Sequence, residues 1–115
     1  MRGCVIVLVL VLVAACRTKA EAPPCGTVAG QFYTIASDEL AKAAVDPKTA
    51  RAVVEELPAM RDALAIACHD GAWSAAVRTC MVAAQDHAAM QACEQQLTDD
   101  QRRALDRAAR GEPTP

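Results

Sequence analysis

The hydrophobic pattern of this chain has two regimes. Val5 to Val13 is a run of nine apolar residues without interruption, and after Cys25 apolar residues recur three or four positions apart. That second spacing is the signature of helices burying one face. Cys25, Val28, Ala29, Phe32, Ile35 and Ala36 form the first stripe, which Leu40, Ala43 and Ala44 extend; Ser37-Asp38-Glu39 offers an alternative N-cap and a break there. Asp46-Pro47 is a boundary, since aspartate caps and proline suits the first helical position. Ala50, Val53, Val54, Leu57, Met60, Leu64 and Ala67-Cys68 then keep one face across Pro58, which predicts a kinked pair of segments. Asp70-Gly71 predicts a turn. Trp73, Val77, Cys80, Met81 and Ala84 mark a third helix capped near Ser74, with a corner at Gln85-Asp86-His87. Ala89, Met90, Cys93 and Leu97 line a fourth. Thr98 and Gln101 fit a capping box before a fifth helix with Ala104, Leu105 and Ala108 inside. The expected fold is all-α, a bundle of four to five helices over residues 25–110, with a frayed tail over 111–115.

The first run reads differently. Arg2 supplies a positive start, the nine apolar residues a hydrophobic segment, and Ala14-Ala15 a pair of small residues for processing. The run falls well short of the ~20 residues that span a bilayer. Leu12-Val13-Ala14-Ala15-Cys16 resembles a bacterial lipobox, with valine where leucine is commoner in the third place before the cysteine. The expectation is a signal peptide over 1–15, cleavage before Cys16 and a lipid on that thiol. Residues 16–24 would be an extended tether with the Pro23-Pro24 pair. The competing reading is an ordinary secretory peptide cut after Ala20 or Ala22. Cys4 falls in the discarded segment either way.

Charge narrows the partners. Without Arg2 there are 11 basic and 14 acidic residues, a net charge of −3 that offers no basic field to nucleic acid. Phe32, Tyr33 and Trp73 are the aromatic residues, too few for a stacking surface. The partners expected are membrane lipid, through the acylated Cys16, and an envelope protein. No cofactor and no metal are expected.

Besides Cys4 and Cys16, four cysteines remain: Cys25, Cys68, Cys80 and Cys93. An even number in a small exported domain argues for two disulfides. A metal site is the alternative, but the long gaps provide no CxxC pair. Residues equidistant from the corner of a helical hairpin face each other. The midpoint of Cys25 and Cys68 falls between Asp46 and Pro47, and that of Cys80 and Cys93 between Asp86 and His87. Both are expected corners, so the pairing predicted is Cys25–Cys68 and Cys80–Cys93. A Cys68–Cys80 bridge would have to cross the Asp70-Gly71 turn asymmetrically.

The order Cys25-Gly26-Thr27-Val28, Cys68-His69-Asp70-Gly71-Ala72-Trp73-Ser74, Arg78-Thr79-Cys80, then Cys93 with Leu97-Thr98 and Gln101 is similar to a set of small four-cysteine lipoproteins and exported proteins in myxobacterium-type genomes. The resemblance covers about Cys25 to Leu105 and implies fold and compartment without an activity. The extra residue between Asp70 and Trp73, with Gly71 there, departs from that pattern and implies a looser turn.

Candidate chemistry is sparse. His69-Asp70 and Asp86-His87 are the only histidine–carboxylate neighbours, and an enzyme or metal carrier would use His69 or His87. Both pairs sit at expected corners, where polar residues serve solubility. The intervening helix separates them by roughly 18 Å at ~1.5 Å per residue, too far to share one metal. Ser37 and Ser74 lie outside any nucleophile-elbow motif and suit caps. Trp73 reads as packing beneath the turn, with an exposed binding anchor as the alternative. Arg102, Arg103, Arg107 and Arg110 stand on the last helix, where they complement the dipole or touch acidic headgroups. By resemblance to lipoprotein sorting elsewhere, Arg17 after the anchor cysteine, where aspartate would mean inner-membrane retention, implies the periplasmic face of the outer membrane. The reading is a non-catalytic binding or structural module; a periplasmic inhibitor or chaperone-like accessory factor is the alternative.

Overall fold

The structure is a computed structural model that describes residues 21–112. The signal segment, Cys16, residues 17–20 of the tether and residues 113–115 lie outside the described residues. Five helices follow in order: α1 Cys25–Lys42, α2 Pro47–Asp70, α3 Ala75–Ala83, α4 His87–Glu94 and α5 Asp99–Ala109. Among the described residues there is no strand. The protein is a small all-α bundle stapled by Cys25–Cys68 and Cys80–Cys93, the two bridges expected from hairpin symmetry.

The first bridge ties the start of α1 to the end of α2, so these helices form an antiparallel hairpin closed at its base. The second does the same for α3 and α4. The α3–α4 pair packs on α1, and α5 lies along α2. Val28, Leu64, Cys68, Trp73, Val77, Met81, Met90, Cys93 and Leu97 are buried in one core near the closed end of the long hairpin.

Local signals start four of the helices. Asp46 accepts from the amides of Lys48 and Thr49, and Pro47 follows at the first helical position. Ser74 accepts from Val77, and Asp86 from Ala89. Thr98 and Gln101 form the reciprocal capping box. α1 starts after Pro24 without a side-chain cap.

Three expectations at the hairpin tip need correcting. α1 runs unbroken through Ser37-Asp38-Glu39 and ends at Lys42, leaving Ala43 and Ala44 exposed. α2 is a single helix, with Pro58 on its exposed side. Val54 is 51% exposed although it continues the apolar stripe. The cause is length. α2 has 24 residues, α3 and α4 only nine and eight, so the tip projects past its would-be neighbours. Likewise α4 stops at Glu94; Leu97 is buried from the turn that follows, its amide bonded to the Glu94 carbonyl.

The turn after α2 is tighter than the resemblance implies. Trp73 N–H donates to the Cys68 carbonyl and Ala72 N–H to that of His69, the two bonds of a Schellman motif. The left-handed position belongs to Ala72, with φ 48°, and Gly71 sits one residue earlier. α5 ends in the same bond pattern, Glu112 to Arg107 and Gly111 to Ala108, with Gly111 at φ 72°. The left-handed region costs a non-glycine residue about 1–2 kcal/mol, partly offset in glycine by greater chain entropy. Ala72→Gly is therefore expected to raise stability by about 0.5–1 kcal/mol. Urea denaturation of the oxidised protein checks this, and a loss of stability would contradict the assignment.

Candidate binding cleft

α4 turns His87, Met90, Gln91 and Glu94 toward α5, spacings of three and four that place them along one helical face. α5 answers with Leu105, Asp106, Ala108 and Ala109. Between the two helices lies a cleft of about 250 Å³, floored by Phe32 from α1, Met60 and Leu64 from α2, and Met81 from α3. Five helices thus contribute to one concave surface. Its floor is apolar and holds Met60, Met81 and Met90, unbranched thioether side chains that adapt to different shapes.

The rim is acidic. Glu94 is half-buried, and its carboxyl is pushed above the ordinary range, first by burial. His87 across the helix face opposes that shift, while Asp106 adds to it. Among the described residues lining the cleft, none is lysine or arginine. A carboxyl whose folded pKa is raised binds more protons folded than unfolded in the interval between its two values. Stability therefore falls as pH rises through that interval, and the cost stands in full above it. Glu94→Gln is expected to melt higher than the parent at pH 7 and to lose that advantage below pH ~4. Paired thermal melts test it; a variant that melts lower at pH 7 would refute the desolvation argument.

Long polar side chains clip the helices around this cleft. Gln31 Nε2 donates to the Ala84 carbonyl at 2.7 Å, holding the end of α3 on α1. Glu39 Oε1 accepts from His87 N–H at 3.1 Å, so α1 satisfies an amide at the start of α4. Gln101 uses both ends of its amide: Oε1 accepts from Thr98 N–H at 2.9 Å, and Nε2 donates to the Gly71 carbonyl at 2.8 Å. It caps α5 and fastens it to the turn after α2. Arg78 Nη1 donates to the Pro23 carbonyl at 3.0 Å, which seats the end of the tether on α3.

The expected site residues fall in different places. The four domain cysteines form the two bridges. Cys16 lies outside the described residues. His87 stands on the rim of the cleft. His69 does not; its side chain is 85% exposed and lies 3.3 Å from Asp70. The two histidines are therefore not brought together, and among the described residues no three His, Cys, Asp or Glu side chains converge as a metal site. Ser37 is inside α1 and caps nothing, whereas Ser74 caps α3. Trp73 is 3% exposed, which removes the exposed-anchor reading. On α5, Arg102 pairs with Asp99 and Arg103 with Asp100, and just past its end Arg110 pairs with Glu112. These exposed pairs within one helical segment contribute little to stability.

A second hollow of about 580 Å³ lies between the end of α2 and α5, broader and shallower, with Ile66 and Gln101 on its wall. Its floor is the small residues Ala67, Ala104 and Ala108 rather than the deep core. The cleft between α4 and α5 reaches buried Leu64, Met81 and Met90 and is the better-built site. Sequence reading missed it. Met60, Met81 and Met90 had registered only as stripe positions on three separate helices.

These features define a small all-α domain closed by two disulfides, with an acidic-rimmed apolar cleft between its last two helices. Comparison with protein-family models, curated proteins and solved structures yields no match.

Proposed function

We propose that this chain is a lipid-anchored protein of the cell envelope whose helical domain is a non-catalytic module that binds a protein partner. The cleft between α4 and α5 is the observation that carries the reading. It joins a largely apolar concave floor to a few polar rim groups, the usual composition of a binding site. The two disulfides support a compartment outside the cytosol, where such bridges persist. The Val5–Val13 run and Ala14-Ala15-Cys16 support export and acylation. Arg17 after the anchor supports the periplasmic face of the outer membrane. A periplasmic inhibitor or chaperone-like accessory factor fits within the same reading.

A second reading has one observation in its favour. His87 shares the cleft rim with Glu94, so a histidine–carboxylate pair there would serve a small enzyme or a metal carrier. A shift of the His87 ring resonances on adding zinc would favour it over the binding module.

The anchor and the cleft are tested separately. Mass spectrometry of the mature protein from its envelope is expected to find Cys16 at the amino terminus carrying acyl chains, the groups that supply the membrane affinity. An unmodified terminus at Glu21 or Pro23 would sink the anchor. For the cleft, a photo-crosslinker at Gln91 is compared with one at Lys48 on the hairpin tip. Cross-links to one protein from Gln91 alone support the module; equal yields from both positions oppose it.

A further inference from the structure

We infer that the occupant of the cleft is a basic amphipathic helical segment of another protein, its apolar side chains on the methionine floor and its ammonium or guanidinium groups against Glu94 and Asp106. This rests on the binding-module reading and specifies its partner. The charge pattern makes the choice. The rim presents two carboxylates beside His87, and no lysine or arginine is among the described lining residues. Arg110, which closes α5 one turn beyond Asp106, is paired with Glu112 and its charge also reaches Asp106, so Glu94 is the carboxylate with no guanidinium beside it. Glu94 also closes α4, at the negative end of that helix's dipole.

Shape agrees with charge. From His87 to Glu94 the wall runs for roughly 10 Å, two turns of helix. A helix laid there presents anchors three and four residues apart, the helix-in-groove mode. Methionine floors suit this mode because thioethers repack around different anchors. An acidic or purely apolar segment would either face repulsion from the rim or leave half-buried Glu94 without compensation.

The test uses the mature chain, residues 16–115, oxidised, with Cys16→Ser so that neither the signal segment nor an acyl group competes. Its probes are two labelled 14-residue helical peptides with one leucine pattern, one carrying lysine and the other glutamate on the polar face. Anisotropy titration is expected to give at least about tenfold tighter binding for the lysine peptide, from two weak charge contacts. That preference should shrink with added salt. Glu94→Gln with Asp106→Asn is expected to remove most of it. Ala109→Arg and Gln91→Lys, both at exposed rim positions, should each weaken the lysine peptide about tenfold. Circular dichroism confirms that these variants remain helical. Equal affinity for the two peptides overturns the charge argument, and unchanged affinity in both rim variants overturns the location. Binding of neither peptide also overturns the inference. The binding-module reading then still stands or falls on the Gln91 cross-links.

Discussion

Replacing Cys25 and Cys68 together by alanine is expected to cost about 4 kcal/mol of stability, and replacing Cys80 and Cys93 about 3 kcal/mol. The difference follows from loop length, a sequence separation of 43 for the first pair and 13 for the second. A longer closed loop removes more conformations from the unfolded chain, although native-state effects also enter. A small domain has a net stability of about 5–15 kcal/mol, so either loss is a large share of the whole. The long hairpin feels it most. Its tip carries exposed Val45 and Val54 beyond the reach of α3 and α4, and Cys25–Cys68 is the covalent closure of its base. Urea unfolding of the two double variants measures both losses. A cost below about 1 kcal/mol for the first pair, or the reverse ranking, would refute the loop argument. With both bridges reduced, the expected loss is on the order of the whole net stability, and the helical signal should collapse at body temperature.

The bridges were legible in the sequence because each corner carries its own local chemistry. Asp46-Pro47 and Asp86-His87 stop and restart helices whatever surrounds them, so the midpoints of the cysteine pairs could be placed without knowing the fold. The caps at Ser74 and Thr98 are equally local. Other features depend on distance in space rather than along the chain. Periodicity identifies the inner face at Val54 but not how far a neighbouring helix extends to cover it. Gln101 announces its cap three residues from Thr98, yet its bond to Gly71, 30 residues away, leaves no trace in the pattern. Glu39 looked like the start of a new helix; instead it serves the amide of His87 across the bundle. The cleft is the extreme case. Its floor draws one or two residues from each of three helices, and each stripe alone looks like ordinary core.

Trp73→Ala is expected to destabilise the domain by about 3–5 kcal/mol, the range for truncating a large buried aromatic. The side chain is 3% exposed and joins the core from the turn between α2 and α3. In the Schellman geometry Trp73 follows the left-handed Ala72, the position whose apolar side chain packs back on the last helical turn at Cys68. A Cβ added to Gly71 would stand 3.1 Å from the indole and 2.8 Å from the Ala67 carbonyl, which shows how closely the ring underlies the turn. The indole also carries a cost. Its Nε1–H is buried and has no acceptor among the described residues. A buried donor left unpaired costs about 1–3 kcal/mol, and phenylalanine lacks that donor. Trp73→Phe should therefore lose far less than the alanine variant, within about 1.5 kcal/mol of the parent, because the relieved donor offsets the smaller ring. Chemical denaturation of the two variants side by side decides the matter. A phenylalanine variant as unstable as the alanine one would mean that the indole N–H has a bonding partner and stabilises the turn.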